Sequence, residues 1–210
     1  SGGTGAAIAA DFGIIGIGTD TINSVRSPSS ANNLVGIRPT IGMVSRGGIV
    51  PYSLTQDTAG PLCRTVEDAA RTLSVIAGYD KDDEITAWAY DKVQNFEDGL
   101  DEGTLQGKRI GVLRSFFGKE EINKPVNDVM EKALAVLQRA GAELVEITEN
   151  IDSGWLTSEV SVHLDDFNDH LTQYLQSFPA DKIPVHSLKE IYDSGKYHPV
   201  DKGNMEDALK

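Results

Sequence analysis

A hydroxyl becomes a nucleophile only when a base takes its proton and hydrogen-bond donors meet the oxyanion forming on the attacked carbonyl. One serine here stands where both could be arranged. Ser24 closes Thr21-Ile22-Asn23-Ser24, a polar turn that follows the apolar, glycine-bearing run Ile14-Ile15-Gly16-Ile17-Gly18. The consecutive backbone N–H groups of Thr21, Ile22, Asn23 and Ser24 would form a nest able to receive an oxyanion. The residues alone also allow a plainer reading, since serine in such a turn commonly serves only the turn. Phosphate and dinucleotide chemistry do not fit. No Gly-Lys-Ser/Thr follows the glycines, and Gly13-x-x-Gly16-x-Gly18 has the wrong order.

The other reactive side chains make weaker sets. Cys63, the single cysteine, reads as a small buried apolar residue rather than a nucleophile. His163, Asp166 and His170 recur at i, i+3 and i+7 and share one helix face. Their acidic neighbours Asp165 and Asp169 make a solvated stripe the better reading than a metal site. His186 and His198 lie in proline-flanked loops, where either would need tertiary placement to act as a base. Trp88, Trp155, Phe167, Tyr174 and Phe178 are read as core packing, with an apolar substrate surface as the alternative.

The elements that must position Ser24 follow from pattern. Small residues from Gly3 to Asp11 predict a tightly packed helix, and Ile14 to Gly18 a buried strand leading into the turn. Leu34 to Thr40 reads as a short strand stopped by Pro39, followed by a Gly- and Ser-rich loop from Ile41 to Pro51. Thr65-Val66-Glu67-Asp68 has capping-box spacing, and Val66, Ala69, Ala70, Leu73 and Ile76 form an apolar face ending near Gly78. Lys81 to Gly107 is acidic and aperiodic, a surface excursion. Lys108 to Leu113 predicts a strand and Pro125 to Ala140 an amphipathic helix with Val126, Met130, Ala133, Leu134 and Leu137 inward. Gly141 closes that helix, and Ala142 to Ile147 is a second strand, parallel to the first. Helices are expected over Val160 to Phe178 and Ser187 to Ser194.

Bulk composition narrows the function classes. With 40% hydrophobic and 24% charged residues in 210, the chain has the balance of a globular protein able to bury a core. A formal net charge of −13 argues against binding nucleic acid through general phosphate attraction. No apolar run approaches the roughly 20 residues that span a bilayer, so a membrane partner is not expected. One cysteine forbids an internal disulfide, and no Asn-x-Ser/Thr occurs, which together fit a cytoplasmic setting.

Ser1-Gly2-Gly3, then Gly18-Thr19-Asp20-Thr21-Ile22-Asn23-Ser24-Val25-Arg26-Ser27-Pro28, together resemble the signature of the amidase signature family of serine hydrolases. The likeness continues through Val35-Gly36-Ile37-Arg38-Pro39-Thr40 and Asp57 to Ala70; it is close over about the first 80 residues and diffuse beyond. It implies an α/β fold in which helices flank a mixed β-sheet, here incomplete. Residues 1–150 would form the core and 151–210 a helical segment of the same domain. It also implies that Ser24 is the nucleophile and that its proton passes through a serine in a cis peptide to a lysine. Counting back along the signature, that serine falls immediately before Ser1 and the lysine further upstream. No lysine from Lys81 onward matches.

By the same likeness Ser1, the second serine of the pair, supports the site, while Asp20 and Arg26 brace the loop. The chain departs from the family in carrying Ile22-Asn23 where small residues, often Gly-Gly, precede the nucleophile. The implied activity is hydrolysis of a small-molecule carboxylic amide through a serine acyl-enzyme, without metal or cofactor. The segment alone, lacking the relay, would be inactive. The alternatives are the amidase component of a glutamine-dependent tRNA amidotransferase and a non-catalytic amidase-like module. If strands are missing at both ends, the exposed edges would favour homo-oligomers.

Overall fold

The computed structural model describes residues 1–98, 100 and 104–210. The chain packs as two compact units, Ser1–Asp98 with Val162–Lys210, and Gly99–Ser161. Part of the expected surface excursion, residues 99 and 101–103, lies outside the described residues.

In the first unit, helix α1 (Gly2–Ala9) leads to strand β1 (Ile15–Asp20), the turn, and the short helix α2 (Arg26–Ala31). Strands β2 (Val35–Gly36) and β3 (Thr58–Cys63) complete a three-stranded antiparallel sheet in the order β1-β3-β2. Ile15 faces Cys63 across the ladder and Asp20 faces Thr58. Helix α3 (Val66–Ile76) follows, with the Thr65 side chain accepting from the Asp68 N–H as the capping pattern predicts.

Three expectations are corrected here. The central strand β3 is absent from the pattern-based reading, because Pro61 in its middle cannot donate to a ladder and reads as a strand breaker. It is tolerated where β2 contributes only two pairs, to Cys63 and Leu62. β1 is not buried on both faces. Gly16, Gly18 and Asp20 are buried while Ile15 and Ile17 remain 48% and 44% exposed. The glycines face α1: a Cβ on Gly16 would run into Thr4 and Ile8, and one on Gly18 into Ser1 and Leu62. Val66, placed by pattern on the apolar face of α3, is exposed in its first turn.

The C-terminal helices α6 (His163–Gln176), α7 (Leu188–Ser194) and α8 (Lys202–Ala208) pack around buried Leu171, Leu188 and Met205. α6 begins three residues later than expected and α7 one later, Ser187 being its N-cap. Of the aromatic residues read as core, Phe167 packs edge-on against Tyr52 at 4.5 Å, but Trp88 and Trp155 are mostly exposed and Phe178 partly so. Trp88 borders a cavity of about 580 Å³ lined also by Met43, Ile85 and Lys92. A wide aromatic outside a regular helical face carries no periodic signal of which way it points.

The second unit is the predicted parallel βαβ. Strands β4 (Arg109–Leu113) and β5 (Glu143–Ile147) flank helix α4 (Lys124–Arg139) and pair in parallel, Ile110 opposite Leu144. Gly141 takes a φ of 99° after the helix, as its closing role requires. The inward face of α4 is smaller than its pattern: Leu134 is buried, whereas Val126, Met130 and Ala133 are exposed. Short helix α5 (Ser153–Trp155) precedes the end of this unit. The α/β class therefore holds, with antiparallel and parallel strands in separate sheets among the described residues. No helix among the described residues is long and apolar enough to cross a membrane.

Candidate active site

β1 ends at Asp20, whose carboxylate is fully buried and organises everything after it. Its Oδ2 accepts the N–H groups of Val25 and Arg26, at 3.0 and 3.3 Å. These are unpaired donors of the first turn of α2, so the strand end caps the next helix. The same carboxylate takes Arg26 Nε at 3.2 Å and Arg38 Nε at 3.3 Å. Burial pushes the Asp20 carboxyl up. The hydrogen bonds from the Arg26 side chain and from the Val25 and Arg26 amides outweigh it and hold the group below its ordinary value.

A second carboxylate fastens the start of the turn. Asp57, at the start of β3, accepts the Thr21 hydroxyl at 2.5 Å on Oδ1 and the Tyr52 and Ser53 amides at 2.8 and 3.0 Å on Oδ2. Ser1 joins α1 to β1: its hydroxyl accepts the Thr19 N–H at 3.0 Å and donates to the Thr19 carbonyl at 3.2 Å.

Between these anchors, three carbonyls in a row are occupied. Gln56 Nε2 donates to the Thr21 carbonyl at 3.4 Å, Arg26 Nη2 to that of Ile22, and Ser27 N–H to that of Asn23 at 2.8 Å. Each peptide is a trans plane, so its N–H points away from its carbonyl. The N–H groups of Ile22, Asn23 and Ser24 are thereby each turned opposite to the occupied carbonyl of their own peptide. Among the described residues they and the Thr21 N–H meet no acceptor. Ile22 and Asn23 keep negative φ, so this path does not require glycine where the family often has it. Ser24 is half-buried at the end of the turn, and its hydroxyl has no hydrogen-bond partner among the described residues.

The structure thus gathers Ser1, Asp20, Arg26 and Ser24 around one turn. The family model named Amidase matches residues 1–201. The chain belongs to the Amidase family. It is 42% identical over 149 residues to a putative amidase of Arthroderma benhamiae, a match covering 70% of this chain and 25% of that protein. With the A subunit of a glutamyl-tRNA(Gln) amidotransferase from Acinetobacter baumannii it shares 35% identity over 174 residues, 83% of this chain and 35% of the relative. The native peptide amidase of Stenotrophomonas maltophilia superposes with a TM-score of 0.83 at 33% identity, covering 98% of this chain and 42% of that one. The chain therefore spans about a quarter to two-fifths of the length of these amidase relatives.

Several of the remaining reactive side chains have structural partners. Asp166 accepts the Ser53 hydroxyl at 2.5 Å and His170 Nδ1 accepts the Leu54 N–H at 3.0 Å, so α6 grips the loop before Asp57. His198 Nδ1 caps its own short helical turn through Val200 N–H. Cys63 is buried in β3, and burial pushes its thiol up, away from the reactive thiolate. Sequence reasoning gives no role to Arg38, Gln56 or Asp57. Asp57 stands at the edge of a motif recognisable in the sequence, whereas Gln56 carries no local sign.

Proposed function

We propose that this segment supplies the nucleophile and the oxyanion-binding amides of an enzyme that hydrolyses a carboxylic amide. The Ser24 oxygen attacks the amide carbonyl carbon, and the charge developing on the carbonyl oxygen is met by the N–H groups of Ile22, Asn23 and Ser24, with Thr21 beside them. The hydroxyl proton leaves through the relay that the family likeness locates before Ser1 and is delivered to the departing amine. Water then attacks the ester carbonyl, the acid departs, and the relay returns a proton to Ser24. Ser1, Asp20 and Arg26 hold the turn in shape and take no proton.

The observation that carries this reading is the row of three occupied carbonyls with their N–H groups left open beside Ser24. The test is labelling of the full-length protein by a fluorophosphonate probe, wild type against Ser24→Ala. Labelling and amide hydrolysis should both fall on the order of 10⁴-fold or more in the variant. A Ser24→Ala protein that still labels would end the proposal.

Similarity to the amidotransferase component over 83% of the chain favours a second reading, in which the amide hydrolysed is that of glutamine within a larger assembly. Co-purification with partner proteins and tRNA-dependent release of ammonia would select it over a free-standing amidase.

A further inference from the structure

Among the described residues, Gln56 is the side chain that touches both the nucleophile turn and the start of α6. Its Nε2 donates to the Thr21 carbonyl at 3.4 Å, and its Oε1 accepts the Val162 N–H at 2.7 Å. These two partners demand the same amide orientation, since Val162 N–H can only donate and the Thr21 carbonyl can only accept. The backbone of Gln56 is fixed as well: Arg38 Nη2 donates to its carbonyl at 2.8 Å while Arg38 Nε holds Asp20. The residue is therefore clamped from behind, and its amide is aimed.

What it aims is a peptide plane. The Thr21 carbonyl and the Ile22 N–H belong to one rigid unit, so a donor on the carbonyl fixes the direction of the N–H. The other two carbonyls of the turn are tied from within, by Arg26 and by the Ser27 amide, at four residues' separation. Only the Thr21–Ile22 plane depends on a group 35 residues away. That plane is the one free to rotate if its partner is lost, because a two-dihedral adjustment can turn a single peptide without moving its neighbours.

We infer that Gln56 is a positioning residue for the oxyanion-binding amides: it holds the Thr21–Ile22 peptide with its N–H toward the reacting carbonyl and ties that orientation to the N-terminus of α6. The inference rests on the amidase reading proposed above. It assigns Gln56 an effect on the transition state and none on ground-state binding.

Two variants of the full-length protein separate this role from simple packing. Gln56→Met removes both bonds. Gln56→Glu keeps an acceptor for the Val162 N–H but sets a carboxylate oxygen against the Thr21 carbonyl, repelling the plane that the amide attracted. The measurement is the rate of fluorophosphonate labelling against probe concentration, which gives the saturating rate and the half-saturating concentration separately. For both variants the saturating rate should fall about 10- to 100-fold, somewhat less than outright deletion of an oxyanion donor. The half-saturating concentration should stay within about twofold, and Gln56→Glu should melt close to the wild type. A wild-type saturating rate in Gln56→Glu would overturn the inference while leaving Ser24 in place. So would a loss confined to half-saturation or to melting temperature. A wild type that does not label, or a Ser24→Ala protein that does, would instead remove the underlying amidase reading and this inference with it.

Discussion

Two arginine–carboxylate forks in this molecule use the same chemistry to different ends. In the first unit Asp20 is fully buried and binds two arginines and two backbone amides. In the second unit Arg114 bridges Glu146, at 2.8 and 2.9 Å, and Glu131, with the side chains 39 to 53% exposed. The exposed fork joins side chains to side chains, from the residue after β4 to β5 and α4, where water competes for every contact. The buried one accepts from the main chain, so its carboxylate dictates where the backbone goes. Electrostatics shapes a site when the charge is enclosed and its partners are peptide groups.

Asp20→Asn should break that contrast most severely. It leaves two arginines and two helix-capping amides short of a charged acceptor. The expected cost is about 3 kcal/mol, read as a melting temperature roughly 6 to 12 °C lower, with fluorophosphonate labelling nearly lost. Survival of both would mean that the carboxylate charge is dispensable.

Arg26→Lys comes next. An ammonium cannot reach both Asp20 oxygens and the Ile22 carbonyl as the guanidinium does. The saturating labelling rate should drop about tenfold, consistent with one loosened oxyanion donor, with a smaller fall in melting temperature than Asp20→Asn gives.

Acid titration sharpens the comparison. Because the folded Asp20 carboxyl lies below its unfolded value, its contribution is complete above about pH 4 and disappears as pH falls through the lower folded value. Chemical denaturation from about pH 5 down to about pH 2 should therefore show a loss of stability on acidification that Asp20→Asn flattens. Glu146 is lowered by its hydrogen bonds with Arg114 and has the same sign, but its exposure makes its share the lesser.

Arg114→Gln sets the lower end of the scale. It should leave labelling unchanged and produce no measurable shift in melting temperature, as exposed pairs commonly do. A large loss would show that the surface fork carries structure after all.

Legibility in the sequence follows the range of the interactions involved. The βαβ unit, the capped helix α3 and helix α7 are short-range patterns, set by apolar period, caps and glycine stops. β3 is hidden because Pro61 overrides strand propensity locally, while its neighbours β1 and β2, which make it the central strand, lie up to 48 residues away. The outward Ile15, Ile17 and Val126 mislead for a related reason: an apolar pattern says which residues prefer burial, and only packing decides which of them find cover.

The sequence by itself determined the chemistry on offer: Ser24 in a polar turn, the aspartate and arginine around it, and the spacing that marks an Amidase family member. It could do so because these residues lie within a few positions of one another, where covalent geometry fixes their separation. Tertiary structure alone decided how the Thr21 end of the turn is held, the next two carbonyls being tied locally by Arg26 and Ser27. That hold comes from Gln56, Asp57 and Arg38, groups distant in the chain whose hydrogen bonds to the turn and its flanks exist only once β1, β3 and α6 have been brought together.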